Sequence, residues 1–233
     1  MSRRNARLLF WSFFQEEALH MDGSQQLKTG TTTVGIVCKD GVVMGADVRA
    51  TMGNLISHKD TQKLFRIEDH MALTIAGLVG DAQVLARWLQ AEVELYQVKR
   101  GAPMSIKAAS TLLANIMNQR KFAPFYVQLL VGGVDLEGNH MYSLDSAGGS
   151  IPDKFVTTGS GSVFVYGVLE DHYKDDITVE DGLDLAIRGI TAAMKRDSAS
   201  GDGMNVCSIT RKKGYQLLAR EDVDKRKKKM GLK

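Results

Sequence analysis

A threonine at position 31 could act as a nucleophile if the chain were cut directly before it. The segment Gly30-Thr31-Thr32-Thr33-Val34-Gly35 would then begin with a residue that carries both a hydroxyl and a free α-amine. A threonine hydroxyl alone is a poor nucleophile, but an α-amine with a pKa near ~7.7–8 can accept its proton close to neutral pH. The segment therefore predicts a precursor in which cleavage creates nucleophile and base together, although β-branched residues also commonly begin strands.

Two charged residues downstream have the types needed to activate such a threonine. Asp47 ends an apolar run, and Lys63 lies in the segment Asp60-Thr61-Gln62-Lys63-Leu64-Phe65. A lysine ammonium near the threonine favours loss of the hydroxyl proton and disfavours protonation of the α-amine, because like charges repel. A lysine removed from water needs a partner, which a carboxylate supplies. Taken alone, the two residues favour an ordinary surface ion pair, which is worth only ~0–1 kcal/mol.

With residues 74–81 (TIAGLVGD) and 196–201 (RDSASG), these segments form a pattern that resembles the archaeal-type β subunits of the proteasome. Those subunits are N-terminal-nucleophile threonine proteases. The similarity runs from the threonine-rich segment to the C-terminal tail, in the same order and with nearly constant spacing. It implies that Thr31 is the nucleophile of a threonine endopeptidase, and that Asp47 and Lys63 are the acid and base of a Thr-Asp-Lys arrangement.

The resemblance also implies roles for four further residues. Ser160, Asp197 and Ser200 match positions that support the threonine amine, and Gly77 matches the backbone N–H donor of the oxyanion hole. A glycine suits that role because it lets the backbone N–H approach without side-chain obstruction. From the residues alone, Gly77 could also punctuate a strand-to-helix turn, and both serines lie in Gly/Ser-rich turns where serine is common.

The resemblance implies that residues 1–30 are a propeptide removed by autocatalytic cleavage between Gly30 and Thr31, leaving residues 31–233 as the catalytic domain. The basic residues 1–7 and the apolar residues 8–14 superficially suggest a signal peptide. However, the apolar run is short, acidic residues follow it, and it cannot span a bilayer. Synthesis could instead begin at Met21, which would leave a short propeptide.

A substrate pocket is also implied by the resemblance. The residues that match the family's pocket for the side chain before the cleaved bond are Ala50, Thr61, Ile75, Val79 and Gln83, with Ile75 at its base. None of them carries a charge. Burying a large apolar side chain contributes ~1.5–3 kcal/mol, whereas an unpaired charge is penalised. We therefore expect a chymotrypsin-like preference for hydrophobic residues.

The hydrophobic periodicity predicts an α+β protein with a four-layer αββα sandwich, in which helices flank two packed antiparallel sheets. The resemblance implies the same Ntn-hydrolase fold. Strands are predicted at residues 32–38, 42–47, 54–56, 64–67, 71–76, 127–134, 140–144, 155–158, 205–210 and 215–218. Helices are predicted at residues 81–99, 105–120, 163–173 and 179–198. Gly41 is predicted to take a left-handed conformation in the first hairpin, Asp81 to cap the first helix and Thr178 with Asp181 to form a capping box.

Composition and charge limit the classes of partner. The chain has 30 basic and 27 acidic residues, and the excess of basic residues lies in the tail at residues 225–229. We interpret this tail as a solvated terminal segment without a nucleic-acid role. Cys38 and Cys207 lie in apolar runs, as expected for buried thiols in a reducing, cytoplasmic compartment. The five histidines lack metal-ligand spacing, and no P-loop, G-x-S-x-G or H-E-x-x-H motif occurs, so neither metal nor cofactor is expected.

The resemblance implies partners as well. Proteasome β subunits form two stacked heptameric rings enclosed between rings of α subunits, and a regulatory ATPase delivers unfolded proteins to them. Two alternatives remain from the residues: a non-catalytic ring subunit, and an amidohydrolase acting on a small amide. The joint presence of Gly30, Thr31, Asp47 and Lys63 favours catalysis, and the pocket residues and residues 80–83 disfavour the small amide.

Overall fold

A computed structural model describes residues 30–232 of the chain. The interpretations of residues 1–29, including the signal-like run and the alternative start at Met21, lie outside these residues. The described strands are β1 Thr32–Cys38, β2 Gly41–Asp47, β3 Ala50–Met52, β4 Leu55–His58, β5 Leu64–Glu68, β6 Met71–Gly77, β7 Val127–Val134, β8 Asn139–Leu144, β9 Ser150–Pro152, β10 Phe155–Gly159, β11 Met204–Thr210 and β12 Gly214–Leu217. The described helices are α1 Val79–Arg100, α2 Ile106–Gln119, α3 Ser162–His172, α4 Val179–Arg196 and α5 Arg220–Lys229.

The strands form two five-stranded antiparallel sheets and a separate hairpin. The first sheet has the order β10-β1-β2-β11-β12, the second has the order β5-β6-β7-β8-β9, and β3 pairs with β4 alone. Strand β1 lies between β2 and β10, so the segment after Thr31 enters the sheet with partners on both sides. This position fixes the start of β1 relative to the ends of both neighbours.

Three apolar clusters separate four layers, as the periodicity predicts. One cluster lies between the sheets and includes Met44, Leu130 and Met141. A second lies between the second sheet and helices α1 and α2, and a third lies between the first sheet and helices α3 and α4. Side chains of a strand alternate between its two faces, so each sheet supplies two of these interfaces. The predicted αββα sandwich is confirmed.

Helix α1 begins earlier than predicted and is not capped by Asp81. Its N-cap is Leu78, and it ends as predicted at Gly101, which is left-handed with φ 67°. The Asp81 carboxylate lies in the first turn and accepts the Tyr126 backbone N–H at 3.0 Å. The acidic residue therefore joins the helix start to the segment before β7.

The structure corrects two local predictions, one for Gly41 and one for the capping box of Thr178 and Asp181. Gly41 lies within β2 without a positive φ, and a Cβ there would come within 2.3 Å of the Ile209 carbonyl oxygen. Close approach, and not left-handed geometry, therefore requires this glycine. Thr178 accepts the Asp181 N–H at 3.1 Å as predicted, but the Asp181 carboxylate returns to the Thr178 hydroxyl and not to its backbone N–H.

The basic tail is a helix whose residues Lys225, Lys228 and Lys229 are exposed, in keeping with its interpretation as a solvated segment. Helix α5 buries only Val223, so it lacks the apolar stripe that would reveal it in the sequence. Arg226 pairs with Asp184 at 2.6 Å and with Glu180, both on α4. Charge pairing to α4 thus contributes to holding a helix that hydropathy does not predict. None of the helices in residues 30–232 is both long and apolar enough to cross a membrane.

Candidate active site

Thr31 lies at the entry to β1, where only 3% of its surface is exposed. The hairpin of β1 and β2 pairs Thr33 with Ala46, which brings the end of β2 beside the start of β1. The Thr32 backbone N–H consequently donates to Asp47 Oδ1 at 2.9 Å. Thr31 and Asp47 therefore lie at the same end of the first sheet.

Lys63 and Asp47 form a buried ion pair, so the alternative of a surface pair is wrong. Lys63 Nζ lies 2.8 Å from Asp47 Oδ1, and the two side chains are 7% and 0% exposed. The other Asp47 oxygen, Oδ2, accepts the backbone N–H groups of Arg49 at 3.1 Å and Gly201 at 3.0 Å. The carboxylate thus receives a donor from β1, from the β2–β3 connection and from the loop after α4, which ties three parts of the fold to one group.

The hydrogen bonds around this pair fit its charged form. Burial lowers the pKa of Lys63 and raises the pKa of Asp47, while their mutual attraction opposes both shifts. Lys63 Nζ faces three acceptors, namely Asp47 Oδ1, the Arg49 carbonyl and, at 3.5 Å, the Gly30 carbonyl. An ammonium has three N–H groups to donate and each finds an acceptor, so we assign it the charged state. The site therefore places a positive charge beside the Gly30–Thr31 bond.

A chain of hydroxyls connects Thr31 to a second carboxylate. The Thr31 N–H donates to Ser160 Oγ at 3.2 Å, and the Ser160 hydroxyl donates to Asp197 Oδ2 at 2.6 Å. The Ser200 hydroxyl donates to the same oxygen at 2.7 Å, and its own oxygen lies 2.6 Å from the Thr32 hydroxyl. Because the Ser160 hydroxyl donates its proton to the Asp197 carboxylate, the Ser160 oxygen is free to accept the Thr31 N–H. The structure brings Ser160, Asp197 and Ser200 into one network, in which Ser160 contacts the Thr31 nitrogen.

Two residues that sequence reasoning did not single out belong to this network. The interpretation of Thr32 as a strand residue is incomplete, since its hydroxyl contacts Ser200 as well. Arg49 donates from Nε to Asp202 at 2.6 Å and from Nη1 to the Ser198 carbonyl at 2.9 Å, which holds the loop that carries Ser200. The position of Arg49, two residues after Asp47, was the only sequence signal for it.

Gly30 is held tightly against the threonine that follows it. The Thr31 hydroxyl donates to the Gly30 carbonyl at 2.6 Å, and the Gly30 N–H donates to Thr51 Oγ1 at 2.9 Å. A Cβ on Gly30 would come within 1.7 Å of the Ala199 Cβ and within 2.8 Å of its Cα. Only glycine fits between Ala199 and Thr31 without displacing the loop after α4.

We expect Gly30→Ala to slow cleavage of the precursor by roughly ten- to a hundredfold, because overpacking of ~1–3 kcal/mol displaces the carbonyl from Thr31. The measurement is the fraction of uncut chain in assembled particles over time, by intact mass. Combining it with Ala199→Gly removes the nearest contact but leaves the backbone contact at 2.8 Å, so we expect partial recovery. Cleavage of Gly30→Ala at the wild-type rate would contradict this steric account.

Gly77 occupies the end of β6, directly before the Leu78 N-cap of α1. Its φ is 128°, and a Cβ would come within 2.1 Å of the Tyr126 carbonyl oxygen, so glycine is required for the turn itself. Its neighbour Ala76 lies 3.4 Å from the position of a Cβ on Gly159, which would also approach the Thr31 carbonyl. Gly77 thus lies at the Thr31 end of the second sheet, but within residues 30–232 its N–H makes no hydrogen bond to Gly30 or Thr31.

The predicted pocket residues differ in their accessibility. Ala50 and Ile75 are buried, with Ile75 in the apolar cluster beneath α1, whereas Thr61 is half-buried. Val79 and Gln83 are exposed on the first two turns of α1. The backbone links two of them to the ion pair, since the Ile75 N–H donates to the Lys63 carbonyl at 3.0 Å and the Thr61 N–H to the Val48 carbonyl at 2.8 Å.

A separate open cavity of about 460 Å³ lies between the edge strands β5 and β12. Its lining includes Asp60, Arg66, Asn205 and Tyr215, and it contains neither Thr31 nor any of the predicted pocket residues. Although it is large, the cavity is therefore separate from the chemistry of Thr31.

The two cysteines are buried, unpaired thiols, as their apolar surroundings predict. Burial raises the pKa of Cys38 and of Cys207 to about 12. A thiol with so high a pKa is protonated at neutral pH and is inert as a nucleophile. In the described part of the chain, no three His, Cys, Asp or Glu side chains are grouped in a way that could hold a metal.

Two antiparallel sheets between helix layers, with a threonine at the entry to a central strand, define the N-terminal-nucleophile hydrolase fold. A family model described as Proteasome subunit matches residues 27–209. Relatives named Proteasome subunit beta include one from Thermoplasma acidophilum, which is 54% identical over 209 residues, covering 90% of this chain and 99% of the relative. Others, from Methanothermobacter thermautotrophicus and Picrophilus torridus, are 53% and 54% identical over 206 residues, covering 88% of this chain and 98% of each relative.

The chain belongs to the proteasome subunit family. Identity of this extent to archaeal β subunits makes it a catalytic β subunit and a threonine-type endopeptidase of archaeal type. The predicted membership of the archaeal-type proteasome β subunits is confirmed, and the alternative of a small-amide hydrolase is disfavoured.

Proposed function

We propose that Thr31 is the nucleophile of this endopeptidase and that its α-amine, exposed by cleavage after Gly30, is the base. The observation that carries the proposal is the buried Lys63–Asp47 ion pair, whose ammonium reaches the Gly30 carbonyl at 3.5 Å. Burying charges costs free energy, and buried ionisable groups of this kind are concentrated at functional sites. Residues 1–30 are accordingly a propeptide, and residues 31–233 the mature chain.

Self-cleavage follows from the contacts of Gly30. The Thr31 hydroxyl, 2.6 Å from the Gly30 carbonyl oxygen, attacks the carbonyl carbon. An ester to Oγ1 forms, the C–N bond breaks, and the nitrogen takes up the proton lost by the hydroxyl to become a free amine. Water then hydrolyses the ester, which leaves a carboxylate on Gly30 and restores the hydroxyl. Lys63 stabilises the negative charge that develops on the carbonyl oxygen during the attack.

Hydrolysis of a substrate peptide uses the same hydroxyl. The α-amine accepts the hydroxyl proton as Oγ1 attacks the substrate carbonyl, and it later gives that proton to the leaving amine. Lys63 disfavours protonation of the free amine by like-charge repulsion, and the Ser160–Asp197–Ser200 chain orients it. Gly77 supplies the N–H that stabilises the oxyanion, and water releases the acyl product from Thr31.

We expect hydrophobic residues before the cleaved bond to be preferred, since Ala50, Thr61, Ile75, Val79 and Gln83 offer the pocket no charge. Reporter peptides with leucine or tyrosine at that position should be cut roughly tenfold faster than those with arginine. Val79→Glu should raise the relative rate for arginine. Gln97→Glu, which adds the same charge at an exposed and already polar position near the other end of α1, is the matched control. Faster cleavage of arginine peptides by the unaltered enzyme would contradict this specificity.

As a proteasome subunit, the chain assembles with other subunits in a core particle. Stacked heptameric β rings between α rings, fed with unfolded proteins by an ATPase, are the arrangement we propose. Large exposed apolar side chains support extensive contacts with neighbours, and they include Val98 at 83%, Phe122 at 93% and Tyr126 at 65% exposed. The buried free thiols of Cys38 and Cys207 are in keeping with a reducing, cytoplasmic compartment.

A further inference from the structure

Thr51 is a buried polar residue in a hairpin that is otherwise exposed apart from Ala50. Its surface is 7% exposed, whereas its hairpin neighbours Met52 and Leu55 are 59% and 62% exposed. The pairing of β3 with β4 shifts register between Ala50 and Thr51, and a β-bulge of this kind redirects the side chain that follows it. The bulge thus accompanies the burial of one hydroxyl on a short strand.

The partner of that hydroxyl is the residue before the cleaved bond. Thr51 Oγ1 accepts the Gly30 N–H at 2.9 Å, and the contact is buried. The Gly30 carbonyl is bound from its other side by the Thr31 hydroxyl and by Lys63. Ala199 closes the remaining side, where a Cβ on Gly30 would come within 1.7 Å. Every group of Gly30 therefore has a neighbour that fixes it.

We propose that Thr51 is a positioning residue for self-cleavage, which holds the Gly30 N–H so that its carbonyl faces the Thr31 hydroxyl. Glycine is the most mobile residue of a chain, and an unanchored Gly30 peptide could rotate its carbonyl away from Thr31. Holding reacting atoms in near-attack geometry accelerates an intramolecular step. This inference rests on the proposed self-cleavage by Thr31, but it assigns a function to a residue that supplies neither nucleophile nor base.

Thr51 should affect maturation of the precursor more than it affects peptide hydrolysis by the mature chain. The bond from Gly30 to Thr51 exists only in the precursor, because Gly30 departs when the chain is cut. Loss of the Thr51 hydroxyl should therefore slow maturation more than it slows the hydrolysis of peptides by chains that have already matured. A residue that merely supports the fold would affect both.

The test compares Thr51→Val, which keeps the shape and removes the acceptor, with Thr51→Ser, which keeps the hydroxyl. Full-length chains are assembled into particles, and the uncut fraction is followed by intact mass. Loss of one hydrogen bond predicts roughly three- to tenfold slower maturation for Thr51→Val and a rate near wild type for Thr51→Ser. Thr111→Val, which removes an exposed hydroxyl on α2, is the matched control and should mature normally.

A second measurement separates the hydroxyl from effects on folding. Thr51→Val is also produced with Thr31 exposed by enzymatic removal of an N-terminal fusion, and its peptide hydrolysis is compared with wild type made in the same way. Hydrolysis should fall less than maturation did. Equal losses in both, equal slowing by Thr51→Ser, or wild-type maturation of Thr51→Val would each overturn the inference. Failure of the proposed self-cleavage is read separately, because a Thr31→Ala chain would then still be cut after Gly30.

Discussion

Thr31→Ala should leave the chain uncut after Gly30 and should abolish peptide hydrolysis. Both reactions require the same hydroxyl, which lies 2.6 Å from the Gly30 carbonyl, and an uncut chain also keeps its base blocked as an amide. Loss of a catalytic nucleophile typically lowers turnover by about 10⁴- to 10⁶-fold. Processing is measured by intact mass, and turnover is measured with a hydrophobic reporter peptide.

Two variants make this result specific to the hydroxyl of Thr31. Thr31→Ser keeps a hydroxyl and should still be cut. Thr33→Val is the matched control, because the Thr33 hydroxyl contacts Thr158 at 2.6 Å in the interior and is not part of the reaction. Peptide hydrolysis by particles that contain only Thr31→Ala would refute the assignment of the nucleophile.

Lys63→Ala should lower peptide hydrolysis by at least about a hundredfold, even in chains whose Thr31 has been exposed by removal of a fusion. The ammonium supplies electrostatic stabilisation at a buried site, and loss of a preorganised donor of this kind typically costs a factor of ~10²–10³. Stability should fall as well, by about 3–5 kcal/mol, because Asp47 is left as a buried charge without its cation. Thermal denaturation and single-peptide kinetics measure the two effects independently.

A double substitution distinguishes the electrostatic function of Lys63 from its contribution to folding. Lys63→Ala combined with Asp47→Ala removes both charges, so stability should partly recover while hydrolysis does not. Lys154→Ala is the control, since its pair with Asp175 is 65% and 75% exposed and should contribute less than about 1 kcal/mol. Recovery of hydrolysis in the double variant would show that the pair acts through the fold alone.

The sequence was sufficient for the parts of this molecule that depend on local periodicity. Strand β1 and helix α2 were predicted within a residue or two, because each shows its apolar face in the sequence. Helix α5 was not, since pairing of Arg226 with α4 and one buried valine hold it. The N-terminus of α1 was misplaced because Asp81 is a good capping residue whose carboxylate binds Tyr126 across the fold.

The candidate site, too, contains some residues that the sequence predicts and others that it does not. A threonine, an aspartate and a lysine could be selected by chemical type and by the family pattern. The functions of Arg49 and Thr51 depend on partners 153 and 21 residues away, respectively, and no local signal reveals such contacts. Nor could the sequence show that Gly30 is fitted against Ala199, because a close approach of two loops is a property of the assembled fold.

The first residue of the chain in active particles shows whether cleavage after Gly30 exposes Thr31. N-terminal sequencing, with intact mass of the same sample, reads which residue begins the β subunit after assembly. We expect Thr31 as the first residue and a mass corresponding to residues 31–233. Active particles whose β subunit begins at Met1 or Met21 would contradict it.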